Sequence, residues 1–210
     1  MLDTVKSFGH CHWMEPAPPL PPLRDSLIEA GMALLNDGGM AALTLRRAAA
    51  RAGVSHAAPA WHFDGLPGLL TAIAARAFAD FAGRMEQARD AAGPDAFQRL
   101  VGVCQGYLDF ARINHGLFHV MFVSPQVNRA DPAIIPQAMR SYMLLRDACL
   151  PFAGEGATED PLLETAVWSM VHGYATLGFG SPGQAGPNPQ TPAEFPELLQ
   201  QVLKGRQAPG

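Results

Sequence analysis

The apolar residues of this chain recur at the three-to-four-residue spacing of α-helices over most of its length. The first stripe occupies positions 23, 27, 28, 31, 34 and 35, and Gly38 with Gly39 predicts its end. No segment alternates apolar and polar residues in the manner of a half-buried strand, and no internal repeat is visible. The pattern therefore predicts an all-α fold.

Capping residues and helix breakers divide the remaining chain into further helices. Thr44 is expected to cap a short helix over 45–52 that Gly53 closes, and Ser55 to cap a third helix that reaches about Trp61. Pro67 suits the first turn of a long helix. The later helices are predicted over 67–91, 95–114, 115–122, 136–152, 161–179 and 193–204.

Proline-rich segments mark the parts of the chain outside these helices. Residues 1–22 are predicted to be a flexible tail, and residues 180–192 a linker rich in glycine and proline. After the tail we expect two domains. The first is a small N-terminal unit over 23–66, and the second is a helical bundle over 67–206 that begins with the linking helix 67–91.

Composition and charge fit a globular protein of the cytoplasm. The 210 residues are 48% hydrophobic and 16% charged, which is sufficient for a proper core. No apolar run is long enough for a transmembrane helix, and the N-terminus lacks the pattern of a secretory signal, so no membrane partner is expected. The 3 cysteines are far apart and odd in number, which argues against a disulfide framework.

Residues 44–55 carry the pattern of a helix-turn-helix motif. Ala49 is small enough for two helices to cross closely, and Gly53 can adopt the left-handed conformation that ends the first helix. Val54 is expected to be buried in the turn. The second helix would then start at Ser55 and enter the major groove of DNA. Helical hairpins are common, so the motif alone is only moderately specific.

The residues that follow make the motif more specific. Segment 53–63 resembles the recognition segment of the TetR (tetracycline-repressor-like) family, in which a Gly-Val-Ser start leads to an aromatic-His-Phe end. Leu69 and Leu70 fall where the fourth helix of that family packs back. This resemblance covers about residues 23–82, and it implies that the first three helices form a DNA-binding domain.

A second resemblance lies in the C-terminal part of the chain. Residues 167–174 are similar to a Trp-x-x-x-His-Gly signature of one subgroup of TetR C-terminal domains. Residues 110–122 resemble the segment that precedes this signature in that subgroup, except that Gly116 replaces a more usual Pro-Ala type of start. Together the two matches imply a homodimer whose C-terminal domain binds a small-molecule effector.

The resemblance also implies which residues meet DNA. His56 and Ala57 would point to the bases, with a solvated turn as the alternative, and His62 would contact phosphate or cap a helix. Trp61 would either pack on the sugar-phosphate wall or lie partly buried against the first helix. The predicted DNA-binding residues are Thr44, Arg46, Arg47, Arg51, Ser55, His56, Ala57, Trp61 and His62.

Two positions depart from the family pattern and bear on affinity. Ala60 stands where a tyrosine is usual, and Leu66 where a lysine is usual, and both usual residues contact phosphate. Residues 1–82 carry six basic and seven acidic side chains. Because Lys and Arg contacts to phosphate dominate DNA affinity, we expect modest binding with a shallow salt dependence. The same departures leave open a protein that has lost DNA binding.

The bundle domain supplies candidate effector and dimer residues. A stripe of aromatic residues and methionine is more often core than pocket, but helical sensors build apolar sites from these residue types. His172 either hydrogen-bonds a ligand or is a core histidine. The candidate ligand-binding residues are Phe110, Phe118, Met121, Phe122, Trp168 and His172. In the family the last two long helices form the dimer interface, and its candidates here are Ala166, Met170, Gly173, Ala175, Leu198 and Val202.

Other sites lack support in the sequence. His10, Cys11 and His12, with Glu15 nearby, are too closely spaced for a standard zinc site and lie in the tail, so no metal is expected. Segment 178–183 matches the letters of a dinucleotide fingerprint but follows a helix rather than a strand. Nothing indicates a cofactor, a catalytic residue or an enzyme.

These features predict a homodimeric, ligand-responsive repressor that binds a palindromic operator in double-stranded DNA. A small and apolar effector in the C-terminal domain would favour a conformer that releases the DNA. The alternative is a ligand-binding and dimerisation protein of the same fold with weak or lost operator binding.

Overall fold

The computed structural model describes residues 22–178 and 193–206. Within these ranges all regular elements are helices, with no β-strand, and the predicted all-α fold is confirmed. None of the described helices is both long enough and apolar enough to cross a bilayer. The α-helices are α1 Leu23–Ala42, α2 Leu45–Arg51, α3 Gly65–Ala91, α4 Ala96–Ile113, α5 His115–Phe122, α6 Ile135–Cys149, α7 Pro161–Thr176 and α8 Phe195–Val202.

The first helix changes direction at the two glycines that were expected to end it. Gly38 and Gly39 both leave helical geometry, and Gly39 has a φ of 63° that favours glycine. A short helical piece then continues to Ala42 before the chain extends at Leu43. The predicted stop is therefore a kink followed by one more turn.

The third predicted helix is only a 3₁₀ turn, Ala58–Trp61. Ala58 N–H donates to the Ser55 carbonyl over 3.0 Å, and Ala60 N–H to the Ala57 carbonyl over 3.2 Å, so the spacing is that of a 3₁₀ helix. Pro59 lacks an N–H and disfavours α geometry at Ala58, which explains the short element. Ser55 makes no side-chain cap, and its predicted capping role is wrong.

The other helices follow their predicted boundaries within a few residues. Asp95 and Asp160 cap α4 and α7, each carboxylate accepting a hydrogen bond from a backbone N–H three residues later. The predicted helix 136–152 is divided into α6 and a 3₁₀ turn, Leu150–Phe152. Helix α7 ends at Thr176 rather than at the predicted position 179. Position 179 lies outside the described residues, as do residues 1–21 of the predicted tail 1–22 and the predicted linker 180–192.

Helices α3 and α4 pack closely along a seam at two glycines. A Cβ added to Gly102 would lie 2.6 Å from the carbonyl oxygen of Ala88, and one added to Gly106 would lie 2.7 Å from that of Arg84. Only glycine allows the two backbones to approach this closely. Aromatic rings fill the space beside the seam, with Phe81 edge-on to Tyr107 at a centroid distance of 4.7 Å.

Helix α5 lies directly on α1. A Cβ added to Gly116 would be 2.2 Å from the carbonyl oxygen of Leu35. The buried side chains of α1 and α2 belong to the same continuous cluster as those of the bundle. The helix-turn-helix segment is therefore packed against the bundle rather than hanging from a linker.

Candidate functional site

The helix-turn-helix segment folds as its sequence predicts up to the turn. Thr44 Oγ1 accepts a hydrogen bond from Arg47 N–H over 3.1 Å and caps α2. Gly53 has a φ of +71° and ends the helix, after which Val54 N–H donates to the Ala49 carbonyl over 3.0 Å. Ala49 is completely buried at the crossing. The turn therefore holds the following segment in a defined position.

The predicted DNA-contacting side chains share one exposed surface. All nine are exposed, and they lie on α2, the turn and the 3₁₀ segment. Trp61 is 86% exposed, so the alternative that it is buried against α1 is wrong. Phe63 is buried and anchors the end of the segment, with the Arg24 guanidinium 5.4 Å above its ring. We name this surface the reading surface.

The positive charge of the reading surface differs from the sequence expectation in two respects. Arg51 is paired with Asp37 over 2.6 Å, which partly neutralises it. Arg24 was missed by sequence reasoning, because only the fold brings it beside the end of the recognition segment. Within the described part of the chain, Arg24, Arg46 and Arg47 have no carboxylate partner. These three arginines are free to meet an anion such as phosphate.

A cavity of about 210 Å³ lies in the bundle between α3, α4, α5, α6 and α7. Among the predicted ligand-binding residues, Met121, Phe122 and Trp168 line it, whereas Phe110, Phe118 and His172 do not. Those three lie behind the wall, since Phe110 packs edge-on to Phe81 at 5.3 Å and Phe118 packs on Phe122 at 4.8 Å. The aromatic lining residues are Phe78, Phe81, Tyr107, Phe122, Tyr142 and Trp168.

Two tyrosines of the lining carry polar groups that point away to partners on α7. The Tyr107 hydroxyl lies 2.6 Å from His172 Nδ1, and the Tyr142 hydroxyl donates to Glu164. Burial raises the pKa of Tyr107 and lowers that of His172, so a protonated hydroxyl donates to a neutral imidazole. Of the two alternatives for His172, the structure favours the core histidine with a satisfied hydrogen bond.

The burial of His172 has a consequence for stability at acidic pH. Its folded pKa lies below the ordinary value of 6.5, so the unfolded chain takes up the proton first as the pH falls. We expect the stabilising contribution of His172 to be present above about pH 6.5 and to be lost below it. The measurement is the free energy of unfolding at several pH values for the protein and for His172→Gln, which keeps an acceptor for Tyr107. A difference between the two proteins that stays constant with pH would contradict this expectation.

Glu164 is the buried carboxylate of the described residues, with 3% of its surface exposed. It accepts a hydrogen bond from the Tyr142 hydroxyl and another from Asp160 N–H over 3.0 Å. The hydrogen bond to Glu164 raises the pKa of Tyr142, so this hydroxyl also remains protonated. The carboxylate is thus held by two donors, as a buried charge requires.

Of the predicted dimer residues on α7, Ala166, Met170 and Gly173 share one side of the helix, whereas Ala175 lies on the opposite side; α8 carries the exposed Glu197. On α7 only Glu164 is charged, and it points inward, while Leu162 is 75% exposed. A Cβ added to Gly173 would meet no atom within 4 Å. We name this face of α7, with its α8 neighbours, the α7–α8 face. Among the six predicted dimer residues Ala166 is exposed, and the half-buried ones are Met170, Gly173, Ala175, Leu198 and Val202.

No group of three or more potential metal ligands occurs among residues 22–178 and 193–206. The His10, Cys11 and His12 cluster and Glu15 lie outside these ranges, as does most of segment 178–183.

Two family models match the chain. Residues 27–77 match "Bacterial regulatory proteins, tetR family", and residues 100–203 match "Tetracyclin repressor-like, C-terminal domain". Comparison with curated proteins gave no match. The first model covers the helix-turn-helix segment, and the second covers the cavity-lining residues of α4 to α7.

Solved structures with the same fold cover nearly the whole chain. A protein of unknown function from a Rhodococcus species is 24% identical with a TM-score of 0.70, over 91% of this chain and 99% of that one. The TetR family regulator PfmR from Thermus thermophilus is 21% identical, with a TM-score of 0.56 and coverages of 88% and 95%. LfrR from Mycobacterium smegmatis, solved with proflavine, is 16% identical, with a TM-score of 0.55 and coverages of 87% and 91%.

Proposed function

The chain belongs to the TetR family of transcriptional regulators, and from this premise we propose that it is a homodimeric repressor released from its operator by a small apolar effector. The observation that carries the proposal is the reading surface. Its unpaired arginines flank an exposed recognition segment that the turn at Gly53 holds in place. Exposed backbone N–H groups at the start of α2 add to the attraction for phosphate. Membership of the Trp-x-x-x-His-Gly subgroup remains a prediction.

A dimer is proposed because one subunit presents only one recognition segment. Operator recognition by such motifs uses two segments about 34–36 Å apart, in consecutive turns of the groove. The α7–α8 face offers exposed apolar side chains, such as Leu162, that a second copy would bury. Close approach of the two copies is possible at Gly173, where nothing fills the space beside the backbone.

The cavity in the bundle is proposed as the effector site. Its lining is almost entirely aromatic or aliphatic, which suits an apolar small molecule. Two proteins of the same fold were solved with small molecules, LfrR with proflavine and the multidrug binding protein EbrR with imidazole. We propose that this chain likewise binds a small molecule, and that it does so in this cavity.

Two contacts connect the cavity wall with the DNA-binding part. The loop between α5 and α6 contributes Arg129 to the wall, and in the same loop Asn128 N–H donates to Thr71 Oγ1 on α3 over 3.1 Å. Helix α5 carries Met121 on the wall and rests on α1 at Gly116. An effector that favours a different position of either element would therefore shift the reading surface.

Operator binding with a moderate salt dependence is the expected result that tests the proposal. If Arg24, Arg46 and Arg47 of both subunits each neutralise a phosphate, the log–log slope of affinity against salt should be about −5, compared with about −10 for a strongly basic repressor. Arg24→Gln should make the slope shallower by about 2 without changing the preferred sequence. Fluorescence anisotropy with DNA from upstream of the protein's own gene measures both quantities.

The outcome also decides between the two candidate functions. The number of possible phosphate contacts is reduced at Ala60, at Leu66 and at Arg51, which is paired with Asp37. This reduction favours the alternative of a ligand-binding dimer without operator activity. Absence of binding at low salt, to this DNA and to fragments selected from a genomic library, would establish that alternative. Arg112→Gln on α4, which removes a charge outside the nine residues of the reading surface, is the control and should leave the slope nearly unchanged.

A further inference from the structure

The wall of the bundle cavity contains one charged side chain among the described residues, that of Arg129. Arg129 lies in the loop between α5 and α6 and is exposed, whereas Phe81, Met85 and Met121 of the same lining are almost completely buried. The guanidinium therefore stands at the mouth of the cavity, and the apolar side chains form its interior. A ligand that fits this arrangement has an apolar body and one polar end.

The Arg129 guanidinium has capacity for a further partner. It donates one hydrogen bond, from an Nη to the Ser124 carbonyl over 3.1 Å. No carboxylate of the described residues pairs with it. A guanidinium has five N–H donors, so at least two remain for a carboxylate held in the bidentate manner.

A positive charge on a ligand is disfavoured by the same geometry. No carboxylate of the described residues lines the cavity, and the nearest buried one, Glu164, is already held by the Tyr142 hydroxyl and Asp160 N–H. A cationic ligand would therefore bring its charge next to Arg129 without a counter-ion. An anionic group at the mouth would remain partly hydrated, which keeps the cost of desolvation small.

We propose that the effector is an apolar monocarboxylate, whose ring or chain enters among the aromatic side chains while its carboxylate binds Arg129 at the mouth. The inference rests on the proposed function, because it assumes that this cavity is the effector site. It adds the chemical class of the ligand and names Arg129 as the residue that selects it. Six aromatic side chains around the cavity favour a planar aryl group in particular.

The test compares three probes with the same ring on the full-length protein. Calorimetric titration gives the Kd of 2-naphthoate, of the neutral 2-naphthamide and of the cationic 2-naphthylmethylamine. We expect naphthoate to bind at least about tenfold more tightly than naphthamide, and the amine to bind most weakly. Arg129→Gln should remove the preference for naphthoate over naphthamide, Arg129→Lys should restore part of it, and Arg112→Gln should keep all of it.

Each outcome bears on a different statement. Equal affinity for naphthoate and naphthamide, a preference unaffected by Arg129→Gln, or no binding by any of the three probes would overturn the assignment of a carboxylate ligand. None of these results depends on DNA, so they leave the operator measurement untouched. Conversely, a protein that selects naphthoate through Arg129 but binds no operator would refute the proposed repressor while sustaining this inference.

Discussion

Replacing Gly173 with tryptophan is expected to convert the proposed dimer into a monomer and to lower operator affinity by about 100-fold or more. An added Cβ meets no atom of the same subunit within 4 Å, so the indole would project from the α7–α8 face into the space proposed for the partner. A monomer presents a single recognition segment and loses the gain from two linked contacts. Light scattering after size exclusion measures the mass, and anisotropy the affinity.

Gly83→Trp is the matched control for this change. Gly83 also lies within a long helix, and an added Cβ there likewise meets nothing within 4 Å, but it is on α3 and away from the α7–α8 face. The control should remain dimeric with nearly unchanged affinity. If Gly173→Trp stays dimeric and binds DNA normally, the interface lies elsewhere on the molecule.

Gly116→Ala is expected to lower the free energy of unfolding by about 2–3 kcal/mol. The new methyl group would lie 2.2 Å from the Leu35 carbonyl oxygen, so α1 and α5 must separate along their contact. Because the obstructing atom is backbone, it cannot turn aside as a flexible side chain would. Denaturant titration measures the change.

The same replacement at Gly83 should act in the opposite direction. That position is open, and alanine in a helix interior is favoured over glycine by roughly 0.5–1 kcal/mol. Equal effects of Gly116→Ala and Gly83→Ala would mean that α5 does not rest on α1 as described. The pair therefore separates the close contact from any general effect of adding a methyl group.

Local sequence signals predicted the helices well where capping and turn chemistry decide the structure. Thr44 and Gly53 start and end α2 as expected, because their side-chain and backbone properties act within a few residues. The recognition segment was less predictable. Pro59 shortens it to a 3₁₀ turn, because a proline has no N–H to donate and opposes the α-helix that the neighbouring alanines favour.

The site was predictable only where it follows from local spacing. The exposure of His56 and Trp61 follows from the turn, but Arg24 reaches the reading surface through a contact with Phe63, far away along the chain. In the bundle, core and cavity residues have the same helical periodicity, so Phe110 and Tyr107 could not be told apart. Arg129 lies in a loop, where no periodicity indicates the direction of a side chain.

The seam at Gly102 and Gly106 determines how a disturbance at the cavity can travel. Helix α3 has 27 residues, which at 1.5 Å per residue makes a lever of about 40 Å. Because its backbone lies against α4 at Arg84 and Ala88, we expect this lever to move together with α4. A pivot of roughly 5° moves the far end by about 3.5 Å, close to the rise of one base pair. A rotation of this size would therefore displace each recognition segment by about one base pair relative to its half of the proposed operator.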